Sequence, residues 1–204
     1  MTKLCSSVVW IVFVQAQISP HLIFLTLGEL GISQDSKFVP AEMAAIRRQE
    51  AEAASRALRA SLTILSFPDL HLPFIPLETL VRTVLPIVRE EQSDALFAFH
   101  PHETTKSFDH PDHNVTGLVA KHVGAAADVK HFMPERRALI QRPELYLWTS
   151  VKNEQTIVME PNTEVKDRRN EYLIRHYPSQ FQVEKKNQWV QIFDSLDEAY
   201  VRVR

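Results

Sequence analysis

Between Phe99 and Gly117 the chain reads Phe-His-Pro-His-Glu-Thr-Thr-Lys-Ser-Phe-Asp-His-Pro-Asp-His-Asn-Val-Thr-Gly. His100, His102, Glu103, Asp109, His110, Asp112 and His113 all fall in this one stretch. Imidazole and carboxylate are the side chains that hold zinc or carry protons near neutral pH. The densest part is His110-Pro-Asp-His113. Pro111 fixes its own φ and disfavours a helical His110. Asp112 suits a helix N-terminus. The tetrapeptide therefore predicts one histidine just ahead of a helix and one in its first turn. Both rings can then address one point, with Asp112 behind them, as a carboxylate commonly stands behind a metal-bound imidazole. The competing reading is a solvated polar loop. The position of the cluster, directly after an apolar run, favours chemistry.

That apolar run is Asp94-Ala-Leu-Phe-Ala-Phe99, which reads as a buried strand. In open α/β sheets, ligands gather beyond the carboxyl ends of the strands. After the tetrapeptide, Val115, Leu118, Val119 and Val123 continue a helix for which Gly124 is the expected stop. His122 reads as a surface residue.

Upstream, Leu22–Leu27 is a strand closed by Gly28-Glu-Leu-Gly31, where glycines permit a tight turn. Glu29 is either a cleft carboxylate or a loop charge in water. Pro40–Ala60 has a small apolar side and a charged side, so it reads as a helix, and Arg47 is its one charge placed near a substrate. Leu62–Leu65 is a third strand, followed by the loop Phe67–Pro73, where Asp69 is a candidate for the same cleft. Pro76–Glu91 is a further helix that Pro86 should kink or break. Downstream come an irregular polar stretch at Lys130–Arg142, a strand at Leu145–Trp148 and a charged helix at Val165–His176. The tail Phe181–Arg204 reads as a strand and a short helix. Strands alternating with helices predict an α/β, three-layer architecture with a mostly parallel sheet.

Composition narrows the function. A length of 204 residues with 45% hydrophobic and 24% charged residues suits a globular domain with a substantial core. A net charge of −2 gives no reason to expect nucleic acid or a membrane surface as partner. Cys5 is the only cysteine, which fits a reducing, cytoplasmic setting. Four glycines form no phosphate-cradling pattern, so a nucleotide enzyme of the usual kinds is not expected. The apolar run Val8–Val14 is too short to cross a bilayer and reads as a buried strand, ahead of the centre of a weak signal peptide.

These residues resemble the PIG-L/LmbE family of zinc-dependent de-N-acetylases. The resemblance rests on Leu25-Thr-Leu-Gly-Glu-Leu-Gly31, Ile46-Arg-Arg-Gln-Glu50, Phe67-Pro-Asp69, His110-Pro-Asp-His113 with the following Asn-Val, and His176–Gln180, in that order from about His21 to Gln180. It implies a Rossmann-like fold, hydrolysis of an N-acetyl amide, and a small N-acetylated amino sugar or its conjugate as partner. It further implies zinc on His113, an oxyanion-stabilising role for His110 and a buttressing role for Asp112. Glu29, Arg47 and Asp69 are the expected substrate-binding residues, and self-association is left open.

The sequence departs from the family at one place. The Ala-His-Pro-Asp-Asp-Glu motif, which supplies two more zinc ligands and the general base, is absent, and Val14-Gln-Ala-Gln-Ile-Ser-Pro20 stands in its place. A catalytic zinc normally takes three protein ligands and a water. The expectation is an atypical segment 1–20, with the N-terminal strand–helix unit truncated or replaced, ahead of a deacetylase domain 21–204. Hydrolysis is then impaired, and the alternative is a non-catalytic sugar-binding or scaffold protein. An improvised site of His113 with His100, His102 or Glu103 ranks last.

Overall fold

A computed structural model describes residues 20–31, 38–101, 110–149, 156–159, 163–180 and 198–203. The chain divides into two compact units, Met1–Leu70 with Met159–Glu198 and His71–Val158 with Ala199–Arg204. The run Val8–Val14 and the short helix expected in the tail lie outside the described residues.

In the first unit, β1 (His21–Thr26) pairs in parallel with β2 (Ser61–Phe67), with His21 opposite Ser61 and Phe24 opposite Ile64. A register shift follows before Thr26 meets Phe67. Between the strands runs α1 (Pro40–Ala57), an alanine-rich helix with a proline in its first turn. The Glu42 carboxylate accepts the Val39 N–H at 3.1 Å, satisfying a donor at the helix start. Helix α4 (Thr163–His176) meets α1 through Ala54, Leu173 and Tyr177, and the Tyr172 hydroxyl donates to the Ala54 carbonyl at 3.0 Å. The turn expected at Gly28–Gly31 is present. The Gly31 N–H donates to the Gly28 carbonyl at 3.1 Å, and Gly28 has φ 68°, open to glycine at little cost.

The second unit is built on a four-stranded sheet in the order β3-β4-β6-β5, from β3 (Ala95–Phe99), β4 (Glu144–Thr149), β5 (Thr156–Met159) and β6 (Glu198–Val203). β3 and β4 are parallel, with Ala95 opposite Glu144 and Phe99 opposite Trp148. β4 and β6 are antiparallel. The fold is thus α/β with parallel pairs at β1/β2 and β3/β4 and a mixed sheet. Helices α2 (Leu77–Glu90) and α3 (Pro111–Ala126) bury Leu80, Val81, Val84, Leu85 and Val88 from one and Val119 and Val123 from the other.

Two helix boundaries differ from expectation. Pro86 lies inside α2 and does not break it. The missing N–H costs one hydrogen bond, while the buried stripe from Leu80 to Val88 continues across it. Gly124 does not end α3, which runs to Ala126. Gly28 is the described glycine with positive φ, so Gly124 lacks the left-handed geometry of a glycine stop. The helix ends where Arg89 of α2 reaches its last carbonyls, donating to Ala126 at 2.9 Å and Ala127 at 3.1 Å. Among the described residues no helix is long and apolar enough to cross a membrane.

Candidate functional site

Strand β3 ends at Phe99, and the His100 N–H still donates to the Trp148 carbonyl at 2.9 Å. Helix α3 begins at Pro111, with His110 in extended conformation (φ −71°, ψ 124°) as its cap. This is the arrangement that proline at the first helical position favours. Gly117 brings the two elements together. A Cβ there would lie 2.2 Å from the Phe99 carbonyl oxygen and 2.9 Å from the Pro101 nitrogen. Only a glycine lets the helix backbone come this near the strand end.

One turn before Gly117, the His113 imidazole lies on the Phe99 ring with centroids 3.9 Å apart and planes 4° apart. The His110 and His113 rings have centroids 5.1 Å apart. Asp112, only 3% exposed, accepts the Leu72 N–H at 3.2 Å through Oδ1. A ring nitrogen of His110 and a carboxylate oxygen of Asp112 lie within 4.8 Å of each other. The expected histidine before the helix, histidine in its first turn and carboxylate between them are thus all in place within the second unit. His102, Glu103 and Asp109 lie outside the described residues.

The other predicted residues belong to the first unit. Glu29 and Asp69 hold two strand-end loops together. The Asp69 N–H donates to Glu29 Oε1 at 2.9 Å, and the Leu30 N–H donates to Asp69 Oδ2 at 3.0 Å. Glu29 also lines a cavity of about 340 Å³ with Leu27, Ala44, Ala45, Arg48, Ser66 and Phe67. Arg47 is 4% exposed and donates to the Gly31 carbonyl at 2.9 Å. Burial lowers its pKa, and the charges of Glu50, Asp69 and Glu29 oppose that shift. A guanidinium remains protonated under such conditions.

Two motifs read separately in the sequence meet in this unit. Glu50, 8% exposed, accepts the Ser179 N–H at 2.7 Å and the Ser179 hydroxyl at 2.6 Å. Sequence reasoning missed this pair and the Leu72–Asp112 contact, because neither partner announces the other across the intervening chain. Gly117 was findable, since a glycine inside a helical pattern often marks a close approach.

The PIG-L family, described as GlcNAc-PI de-N-acetylase, matches residues 4–123. No curated protein matches the chain. Among solved structures, the chain is similar to the N,N'-diacetylchitobiose deacetylase from Pyrococcus horikoshii in complex with its inhibitor MPG, at TM-score 0.81 and 21% identity, covering 97% of this chain and 77% of that one. It is also similar to GalB, the 4-carboxy-2-hydroxymuconate hydratase from Pseudomonas putida KT2440, at TM-score 0.67 and 18% identity, covering 98% and 90%. A third is a deacetylase triple mutant of the teicoplanin biosynthetic pathway, at TM-score 0.64 and 15% identity, covering 97% and 92%. At these identities the likeness establishes the fold, and a hydratase beside two deacetylases shows that the fold alone does not set the reaction. The family match spans more than half of the 204 residues and includes the His110–His113 tetrapeptide, so the chain belongs to the PIG-L family of de-N-acetylases.

Proposed function

We propose that this protein is an N-deacetylase that removes the acetyl group from an N-acetylated amino sugar or its conjugate. The observation that carries the reading is the constellation of His110, Asp112 and His113, fixed where β3 meets α3. An imidazole is a suitable donor for zinc, and the stacking of His113 on Phe99 fixes its ring plane in advance. In this proposal His113 holds the metal. When bound, zinc lowers the pKa of a coordinated water to about 7 and polarises the amide carbonyl.

The chain's own residues supply the rest. His110 donates a ring N–H to the oxygen of the tetrahedral intermediate, and such a donor accounts for roughly two to three powers of ten in rate. Asp112 keeps the histidine pair in position from a buried site anchored on the Leu72 N–H. Glu29, Arg47 and Asp69 form the substrate-binding group. Glu29 lines the cavity, while Asp69 and Arg47 hold its loop through the Leu30 N–H and the Gly31 carbonyl. A cytoplasmic location belongs to the same proposal, on the strength of the lone Cys5.

A second reading, a sugar-binding protein without hydrolysis, rests on one observation. The sequence contains no Ala-His-Pro-Asp-Asp-Glu, and hence neither the family's general base nor two of its zinc ligands. Zinc content and acetate release from N-acetylglucosamine conjugates, measured with and without His113→Ala, decide between the two. Stoichiometric zinc and turnover that His113→Ala abolishes establish the hydrolase. Thermal stabilisation by the sugar in the presence of a chelator, with no acetate released, establishes the second reading.

A further inference from the structure

Phe74 is 82% exposed, an unusual position for an aromatic ring on an otherwise well-packed unit. It closes the 3-10 turn Leu72–Phe74, and its own N–H donates to the His71 carbonyl at 2.9 Å. The turn is rigid for three reasons. Leu72 is buried at 1% exposure. The Leu72 N–H is held by the Asp112 carboxylate at 3.2 Å. Pro73 and Pro76 restrict the backbone on either side of Phe74. The exposed His71 ring stands edge-on to Phe74, with centroids 6.3 Å apart and planes at 66°.

The Asp112 carboxylate, within 4.8 Å of a His110 ring nitrogen, therefore also pins the turn that presents Phe74. A 3-10 turn rises about 2 Å per residue, so Phe74 stands only some 4 Å along the turn from the Leu72 N–H that Asp112 holds. An aromatic ring held in water on such a turn is preorganised to receive a flat apolar face. A pyranose ring presents such a face on its C–H side, and so does an aryl aglycone.

We propose that Phe74, with His71 at its edge, is a specificity-determining platform that stacks against the group glycosidically attached to the N-acetylated amino sugar. This rests on the deacetylase reading of the His110–His113 site, and it assigns the part of the ligand that does not react. Phe74 acts on binding of the attached group and leaves recognition of the acetylamino sugar itself to the neighbouring residues.

The test compares N-acetylglucosamine with 4-nitrophenyl N-acetyl-β-glucosaminide by isothermal titration against the zinc-supplied full chain, Phe74→Ala and Phe74→Trp. The wild-type chain binds the aryl glycoside more tightly than the free sugar. Phe74→Ala weakens the aryl glycoside about five- to tenfold and leaves the free sugar unchanged, and Phe74→Trp restores the difference. Equal weakening of both ligands, or of neither, overturns the platform, while the deacetylase reading stands as long as the wild-type chain releases acetate. A wild-type chain that binds neither ligand removes that reading and the platform with it. A dimer in sedimentation that Phe74→Ala dissociates overturns the platform by giving the ring a protein partner.

Discussion

The His113 imidazole lies flat against the Phe99 ring, 3.9 Å between centroids and 4° between planes. Phe99 is the last residue of β3, and His113 stands in the first turn of α3. The contact therefore joins a strand end to a helix start, and it settles the plane of one imidazole before any ligand arrives. Phe99 is itself placed by its neighbours, opposite Trp148 in the parallel ladder and edge-to-face with it at 6.1 Å. The position of His113 is thus set by β-sheet register as much as by the helix that carries it.

Gly117 is what allows that contact. Gly117→Ala puts a methyl group 2.2 Å from the Phe99 carbonyl oxygen and 2.9 Å from the Pro101 nitrogen, both backbone atoms that cannot swing aside. The helix must move away from the strand, at a cost of about 1–3 kcal/mol. Gly124→Ala is the control, because its methyl meets Leu96 at an ordinary 3.7 Å. Helix propensity then favours alanine by about 0.5–1 kcal/mol. Urea unfolding should show opposite signs for the two variants, and NMR should show the His113 ring shifts moving only in Gly117→Ala.

Arg89 is 2% exposed and donates to six backbone carbonyls, those of Ala126, Ala127, Val129, Phe132, Met133 and Arg136. It caps α3 and organises the irregular stretch that follows. Arg89→Met leaves these carbonyls without their donor in a buried setting, and the expected loss is at least about 3 kcal/mol. Arg89→Lys recovers only part, because one ammonium cannot span the reach of a planar fork. Hydrogen exchange should accelerate first in residues 126–139, where the Leu139 N–H to Ala127 carbonyl bond at 3.0 Å closes the loop.

Local signals made half of this site legible. Pro111 and Asp112 announced the start of α3, and the apolar run to Phe99 announced β3, because both are properties of adjacent residues. The end of α3 was not legible. It depends on Arg89, which reads in sequence as one more charge late in an amphipathic helix. The loops at Gly28–Gly31 and Phe67–Leu70 could each be seen, but not the two hydrogen bonds that tie them, from the Asp69 N–H to Glu29 and from the Leu30 N–H to Asp69. Strand β5, Thr156–Met159, went unread because four residues give too short an apolar run to stand out.

His176 ends α4, and burial holds its pKa below the ordinary 6.5, with the adjacent Arg175 charge adding to the shift. A histidine whose folded pKa is depressed prefers to stay neutral in the folded state. Its contribution is complete above 6.5 and is lost as the pH falls from there through the lowered folded value. Stability should therefore decline on acidification below about neutral pH, less steeply in His176→Gln. An NMR titration should place His176 below 6.5, and Arg175→Ala should return only the smaller part of the shift, since burial is the larger cause.

Glu50 holds Ser179 through both carboxylate oxygens, at 2.7 Å to the N–H and 2.6 Å to the hydroxyl. The pair fastens the residues after α4 onto α1, where Tyr177, 3% exposed, is buried in one cluster with Ala54 and Leu173. Glu50→Ala strands both donors and should cost about 2–3 kcal/mol, against about 1 kcal/mol for Ser179→Ala, which removes only the hydroxyl. The double variant should be scarcely worse than Glu50→Ala alone, because the two changes delete one shared interaction. A second readout separates charge from contact. Burial raises the Tyr177 pKa, and the Glu50 carboxylate raises it further. Glu50→Gln keeps an acceptor for Ser179 but removes the charge, so the Tyr177 phenol should ionise at lower pH while most of the stability is retained. If Tyr177 is unmoved in Glu50→Gln, the Glu50 charge does not reach the phenol, and burial alone accounts for its raised pKa.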